Sequence, residues 1–386
     1  MNKQEIKETV IEIRHHLHTI PELALQEYKT SKYIAEKMRE FGFDVTEGIG
    51  GTGVVATLKC GTSGRMIGLR ADFDALPITE TADVPYRSTH EGCFHGCGHD
   101  SHVASMIGAA LLLKESQDFD GTVVFVFQPG EEPGVGARAM IADGLLEKYP
   151  MTEIYGQHND PMTPIGRMGV RVGMASSSED DFWITIKGRG GHASAPHNVK
   201  DPLVTAAEVI TALQTIVSRN INPLEAGTVS CCDVQTDGVL NAIPSTVTIV
   251  GDCRTYNKNV QKLIEDRMRT IVQHICEMND CEWELKYDHA FVPLDNNAEC
   301  VAAVIEAGKK VFGEENVDGN CPMMSASEDF AWYQESIPGA FFFVGHKAPD
   351  NDHPAPLHNS GFIYNDDAIL NGSEMFAQIV RDRMPA

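Results

Sequence analysis

Residues Glu91 to His102, EGCFHGCGHDSH, hold two cysteines, three histidines and an aspartate directly ahead of an apolar helical pattern. Thiolate, imidazole and carboxylate donors this dense at a helix mouth suggest a transition-metal site. A closed structural zinc knot and a satisfied buried polar cluster are the competing readings. More donors lie elsewhere: Asp72 and Asp74 in RADFDALP, Glu131 and Glu132 in QPGEEPGVGAR, and His158 after EIYGQ. A structural zinc uses four Cys or His ligands in short paired spacings, whereas here only Cys97 and His99 are close together and the rest are rich in carboxylates. Such a mixture with an open position is what hydrolytic metal centres need, because bound cations polarise a carbonyl and bring the pKa of water towards about 7. Adjacent acids on an extended segment point opposite ways, so one of Glu131 and Glu132 can bind metal while the other takes a proton from water.

Distant donors need elements to gather them. MIGLRA (66–71), TVVFVFQ (122–128) and EIYGQ (153–157) read as buried strands, each running into donor residues. Between the first two, Val103, Met106, Ile107, Ala110 and Leu111 recur at helical spacing. Strands alternating with helices predict a largely parallel α/β sheet whose ligands collect beyond the carboxyl ends of the strands. Asp72, Asp74, Glu131, Glu132 and His158 then share one rim, with Cys97 and His99 at the mouth of a helix.

From about 181 the pattern changes. DFWITIKG, a helix over 201–219, GTVSCCDVQ, TVTIVGDCR, a helix over 259–278 and CEWELKYDH follow in the β-α-β-β-α-β order of a ferredoxin-like unit. A helix at 298–312, a buried strand FFFVG (341–345) and a last helix near 366–383 come after it, so the unit is inserted. The domains expected are 1–180 with 293–386, and 181–292 between them. Arg14, His15, His16 and His18 crowd one helix, but adjacent helical residues face different ways, so a structural or surface role is expected. Supporting roles are expected for Cys93, His95 and His102, surface positions for His346 and His353, and a pocket-shaping turn for Ser325 to Asp329.

A chain of 386 residues is long enough for two domains. A formal charge of −24 argues against nucleic acid or an anionic membrane as partner, since both require a basic footprint. The longest apolar runs, such as IGAALLL, are far short of a membrane span. The opening MNKQEIKETV is polar, and the ten cysteines show no short-spaced framework, so reduced thiols and a cytoplasmic location are expected.

RADFDALP, HGCGHDSH, QPGEEPGVGAR, GRGGHASAPH, NAIP, SASEDF and LHNSGF occur in that order. The set resembles the metal-dependent N-acyl amino-acid amidohydrolases, the group of hippurate hydrolase, N-acetyldiaminopimelate deacetylase and the indole-acetyl-amino-acid hydrolases, within the aminoacylase and carboxypeptidase metallopeptidases. The resemblance implies a mixed-sheet, zinc-peptidase-like catalytic domain with an inserted lid and dimerisation domain. It implies cleavage of the amide of an N-acyl amino acid, with a dipeptidase or aminopeptidase on the same di-metal site as the alternative. Two divalent cations, zinc, manganese, cobalt or nickel, would be held by Cys97, His99, Glu132, His158 and His358. Glu131 would be the proton acceptor, Asp72 a second active-site residue, and Asp74 and Asp100 supports behind the ligands. His192 would stabilise the oxyanion, Asn241 and Arg254 would contact the substrate carboxylate, and the protein would be a homodimer or larger homo-oligomer. Three departures stand out: Gly96 where the group has Ala, which loosens the ligand loop; GEEPGVG in place of AEE-G-GG; and polar Gln157, Asn159 and Asp160 around His158, which bear on substrate choice.

Overall fold

The structure, a computed structural model, describes residues 1–386. Helix α1 (Lys3–Thr19) opens on a capping box: the Asn2 side chain accepts the Glu5 N–H at 2.9 Å and the Glu5 carboxylate accepts the Asn2 N–H at 2.8 Å. Helix α2 (Tyr28–Glu40) has no side-chain cap from its own N-cap residue; Glu22 reaches over and accepts the Lys29 and Thr30 N–H groups instead. The chain continues through β1 (Asp44–Ile49), β2 (Gly53–Cys60), β3 (Met66–Asp72), α3 (His99–Ser116), β4 (Gly121–Gln128), α4 (Gly136–Ala142) and β5 (Glu153–Pro164). Next come β6 (Glu179–Lys187), β7 (Gly191–His192), α5 (Pro202–Thr215), β8 (Gly227–Thr236), β9 (Ala242–Ile243), β10 (Thr246–Thr255), α6 (Lys258–Met278) and β11 (Glu282–Phe291). Helix α7 (Ala298–Phe312), β12 (Gly339–Lys347) and α8 (Ile369–Arg383) complete it. No helix is long and apolar enough to cross a membrane.

The chain forms two compact units. The first comprises Met1–Ala175, Asp295–Met323 and Glu328–Ala386. Its sheet has the order β1-β2-β4-β3-β5-β12, with short strands at 168–169 and 317–318 beyond β12. The β1–β2 and β2–β4 pairs are antiparallel, whereas β4–β3, β3–β5 and β5–β12 are parallel. Strands β3 and β4 are buried on both faces, which is why they read as unbroken apolar runs. Helix α3 is buried from His99 to Leu111, since it packs against β3, α1 and α8. Strand β5 does not stop at Gln157. Pairing with β12, from Gly339 opposite Ile154 to Lys347 opposite Pro164, carries it past His158, which therefore lies within a strand rather than beyond one.

The second unit comprises Ser176–Leu294 and Met324–Ser327. Its β-α-β-β-α-β chain folds into an antiparallel sheet of order β8-β10-β6-β11. Burial alternates strictly along β6 and β10, and Phe182, Ile184, Ile186, Val247 and Ile249 share a core with Leu213, Ile264 and Met268 of the two helices. The unit starts at 176 rather than 181 because the Ser178 N–H donates to the Thr255 carbonyl at 2.7 Å and the Thr255 N–H to Ser178 Oγ at 3.1 Å. The helix expected to reach 219 ends at Thr215, and a π-helical turn, Ile216–Asn220, follows. The SASEDF run is divided. Ser177 donates to the carbonyls of Ser325 and Ala326, which joins them to the second unit, while Glu328 and Asp329 belong to the first.

Candidate metal centre

The loop carrying Cys97 ends at Gly98, the N-cap of α3, with φ +82°. A Cβ there would meet Asn159 Nδ2 at 2.5 Å, so both conformation and space require glycine. His358 takes φ +63°, a left-handed conformation that costs a non-glycine residue about 1–2 kcal/mol. It is held there by its N–H, which donates to the Gly96 carbonyl at 2.8 Å. A Cβ on Gly96 would lie 2.8 Å from the Phe94 ring, so glycine there is a packing requirement rather than a loosening of the loop.

Five donors meet in the first unit. The ligand atoms of Cys97, His99 and His158 lie within 4.8 Å of one another, and so do those of Cys97, Glu132 and His358. Cys97 belongs to both triads. Cys97 Sγ is 3.4 Å from His158 Nε2, Glu132 Oε1 is 3.9 Å from His99 Nε2, and Glu132 Oε2 is 3.5 Å from His358 Nε2. His99 Nδ1 donates to the Asp74 carbonyl at 2.9 Å, and His158 Nδ1 donates to the Asn159 carbonyl at 2.8 Å. Each ring therefore turns a lone pair on Nε2 towards the shared centre, the arrangement metal-binding imidazoles adopt. Asp74 also accepts the Glu132 N–H on Oδ2 at 3.0 Å, and so braces two of the donors.

Charge completes the test of fit. His99 Nε2 and Glu132 Oε1 are buried and have no hydrogen-bond partner. Burial, then Glu132, pushes the Cys97 thiol well above its ordinary value, and burial lifts Glu132 to about 7. Burial opposes a charge on His99, yet Asp72 and Cys97 raise it well above the usual imidazole range, so positive charge at its Nε2 is favoured. Soft sulfur, imidazole and carboxylate around a deficit of positive charge suit a pair of divalent transition metals.

Glu131 lies against a second group of acids, with Glu328 and Asp329. Burial, then Glu328, Glu132 and Asp329, push it well above the carboxylate range. Glu131 and Glu132 sit in a turn, closed by the Gly134 N–H on the Glu131 carbonyl at 2.8 Å, and not on an extended segment. That turn leaves a carboxylate oxygen of each within 4.8 Å of the other and of a His99 ring nitrogen. Arg70, fully buried on β3, donates to Asp72 Oδ2 and Asp329 Oδ1, both at 2.7 Å, and to Gln128 Oε1 at 2.9 Å, and lies 2.8 Å from Glu328 Oε1. Burial works the other way, but Arg70, then His99 and His102, hold Asp72 well below the usual range. Glu27, also fully buried, accepts the Gly130 N–H at 2.9 Å and the Thr52 hydroxyl at 2.7 Å, fixing the turn that carries Glu131.

Asp100 neither caps α3 nor touches a donor. Its Oδ2 takes Arg14 Nη1 at 3.0 Å and His18 Nδ1 at 2.9 Å, because α1 lies against that side of α3. His346, expected at the surface, is buried against Tyr364 and Phe362, which lowers its pKa to about 4. Asn159 and Gln157 are buried, and the Asn159 amide donates to the Cys97 carbonyl at 2.8 Å.

In the second unit His192 and Asn241 are brought together: Ala242 pairs with His192 in the β7–β9 ribbon, and the Ala193 N–H donates to the Asn241 carbonyl at 3.0 Å. Arg254 is at the other end of β10. The ten residues of that strand separate it from Asn241 by roughly 30 Å, so the two do not share a carboxylate within one protomer. The Arg254 guanidinium already contacts Asp252 at 2.9 Å, Glu179 at 2.7 Å and Ser327 Oγ at 2.9 Å. Motif reading missed Arg70, Glu328, Asp329 and Glu27. An arginine inside an apolar strand run was the available signal, since a buried guanidinium demands acids.

A mixed sheet with cysteine, histidine and carboxylate donors gathered at the mouth of α3 is the frame of a metallopeptidase. The family description Peptidase family M20/M25/M40 matches residues 68–382, and the chain belongs to that family. It is 39% identical to the hippurate hydrolase of Campylobacter jejuni over 95% of this chain and 94% of that protein. It is 37% identical to N-acetyl-L-cysteine deacetylase of Bacillus subtilis over 97% and 88%. The solved structure of the Bacillus subtilis YxeP protein, described as a dinuclear metal binding peptidase, superposes with a TM-score of 0.83 at 32% identity, covering 98% of each chain.

Proposed function

We propose that this protein is a metal-dependent amidohydrolase that cleaves N-acyl amino acids to a carboxylic acid and a free amino acid. The observation that carries the reading is the pair of donor triads sharing Cys97, beside the buried acid Glu131. Relatives named for hippurate, an N-benzoyl amino acid, and for N-acetyl-L-cysteine support the substrate class. Two divalent cations, held by Cys97, His99 and His158 and by Cys97, Glu132 and His358, would polarise the amide carbonyl and acidify the attacking water. Zinc, manganese, cobalt and nickel all suit the donor set.

Glu131 accepts the proton of water as its oxygen attacks the amide carbon. It then delivers that proton to the nitrogen as the C–N bond breaks, which regenerates the carboxylate. Burial, then the acids Glu328, Glu132 and Asp329, raises the proton affinity of Glu131 and so favours the first transfer. Asp72, fixed by Arg70, keeps its charge beside His99 Nε2, 3.7 Å away. His192 is exposed at the tip of its ribbon, and the Ser194 N–H donates to its Nδ1 at 3.2 Å. The proton of the neutral ring is therefore on Nε2, free to donate to the oxyanion.

A homodimer belongs to the same proposal. A substrate carboxylate that meets both Asn241 and Arg254 needs two protomers, given their separation, and β8 leaves an exposed strand edge on the second unit. All ten cysteines are free, which fits a reducing cytoplasm. The test is a panel of N-acetyl and N-benzoyl amino acids run beside free dipeptides, with metal content measured, removed and restored. Faster turnover of dipeptides, or full activity without metal, would sink the proposal. Light scattering of the purified chain checks the dimer.

A further inference from the structure

His102 is buried three residues after His99, just under one helical turn, and its ring is used on both sides. The Asn159 backbone N–H donates to Nε2 at 3.1 Å, and Asn159 Nδ2 lies 2.9 Å from the same nitrogen. A backbone N–H can only donate, so Nε2 carries the lone pair and the proton of the neutral ring is on Nδ1. That proton points at Asp72 Oδ1, 2.5 Å away, while Arg70 takes the other oxygen. Asn159 also reaches the ligand loop. Its Nδ2 donates to the Cys97 carbonyl at 2.8 Å, and its own carbonyl accepts His158 Nδ1 at 2.8 Å. The two N–H bonds of one amide are thus divided between the Cys97 loop and His102.

We infer that Asn159 and His102 are a positioning pair of the hydrolytic centre: Asn159 ties the Cys97 loop to His158 and fixes His102 as the Nδ1–H tautomer that orients Asp72. Neither residue reaches the substrate; both act through the donors and Asp72. The close passage of Gly98 past the Asn159 amide follows from the same tie, since any side chain at 98 would displace it. Bound metal needs rings and carboxylates already aimed, and loss of such outer supports typically costs about 10–100-fold in affinity or activity. This inference rests on the proposed metallohydrolase reading for the identity of the centre.

The test uses the full chain with 15N-labelled histidine, with and without zinc, and the variants His102→Asn, His102→Leu and Asn159→Ala. Asparagine places an N–H donor near the former Nδ1, and leucine removes it. Among the far-downfield Nδ1–H resonances of the wild type, to which His18 and His289 also contribute, one should disappear in both His102 variants. His102→Leu should lose about 10–100-fold in kcat with KM little changed, and His102→Asn should recover most of that loss. Asn159→Ala should weaken zinc binding about 10–100-fold and broaden or shift the His102 resonance. An Nε2–H tautomer in the wild type overturns the inference. So do equal losses in the Asn and Leu variants that follow their thermal stability, which is the mark of packing alone. Failure of the unmutated chain to bind zinc, manganese, cobalt or nickel would instead overturn the metal reading itself, so the two failures are distinguishable.

Discussion

Two clusters of histidine and carboxylate flank the start of α3, and they reach opposite electrostatic states. Behind it, Asp100 is met by Arg14 and His18, and His18 Nε2 lies 3.2 Å from Glu80. Burial opposes every charge there, yet His18 and Arg14 hold Asp100 far below the carboxylate range, and Asp100 raises His18 to about 9. In front, burial raises the proton affinities of Cys97, Glu131 and Glu132, and neighbouring acids add to it: Glu132 at Cys97, Glu328 and Glu132 at Glu131, and Asp74 and Asp72 at Glu132. Histidine and carboxylate are common to both, but the back cluster adds Arg14 and the front one adds Cys97. What separates a structural cluster from a binding site is whether the fold brings its own cations to the acids.

The sharpest break in that comparison is at Glu131. Glu131→Gln should keep the fold and the bound metal but lose about 10²–10⁴-fold in kcat, the usual range for a general base. Steady-state kinetics with metal analysis on the same sample checks it, and near wild-type turnover would remove Glu131 from its role. Cys97→Ala comes next. Because Cys97 is in both triads, its loss should lower the bound metal below two ions per chain, as read by elemental analysis. An unchanged metal content would mean Cys97 is not a donor.

Asp100→Ala tests the closed cluster. It leaves Arg14 and His18 buried without their shared acid, and breaking a buried pair in this way costs about 3–5 kcal/mol of stability. Chemical denaturation should show that loss, while the folded fraction binds metal far better than Cys97→Ala does. Equal metal loss in the two variants would erase the distinction between front and back.

Much of the front was legible in the sequence, because each donor lies in a short motif, Cys97 and His99 at the start of a helix and Glu132 just past the end of a strand. The structure moves the details wherever distant pairing decides them. His158 lies inside β5 because β12, almost two hundred residues later, extends the strand. Arg70 gains its meaning only when Glu328 and Asp329 arrive from the far side of the inserted unit. The length of β10 parts Asn241 from Arg254, and no motif encodes that separation. The back cluster was read as a histidine-rich helix face, since nothing local in α1 announces Asp100. Asn159 likewise reads as an unusual polar neighbour of His158 until its amide is seen bridging to Cys97 and His102.

The smallest effect belongs to His18, and its direction is fixed by the same ion pairs. Its pKa is raised to about 9 in the folded chain from 6.5 for a free imidazole, so the folded state binds the proton more tightly than the unfolded one. The stabilisation is complete below pH 6.5 and is lost as the pH rises through 9, about 3 kcal/mol over that window. Its side chain is only 5% exposed, so solvent screening takes little from this figure. Unfolding free energy measured from pH 6 to 9.5 should therefore fall with a steeper slope in the wild type than in His18→Gln. Glu27 adds to the fall over a lower window, since burial raises its carboxyl to about 7 and ionising it destabilises the fold as the pH climbs from 4.5. The variant comparison isolates His18, because Glu27 is common to both proteins. Identical slopes would show that His18 is neutral in the folded chain, and the cluster behind α3 would then be no more self-neutralised than the one in front.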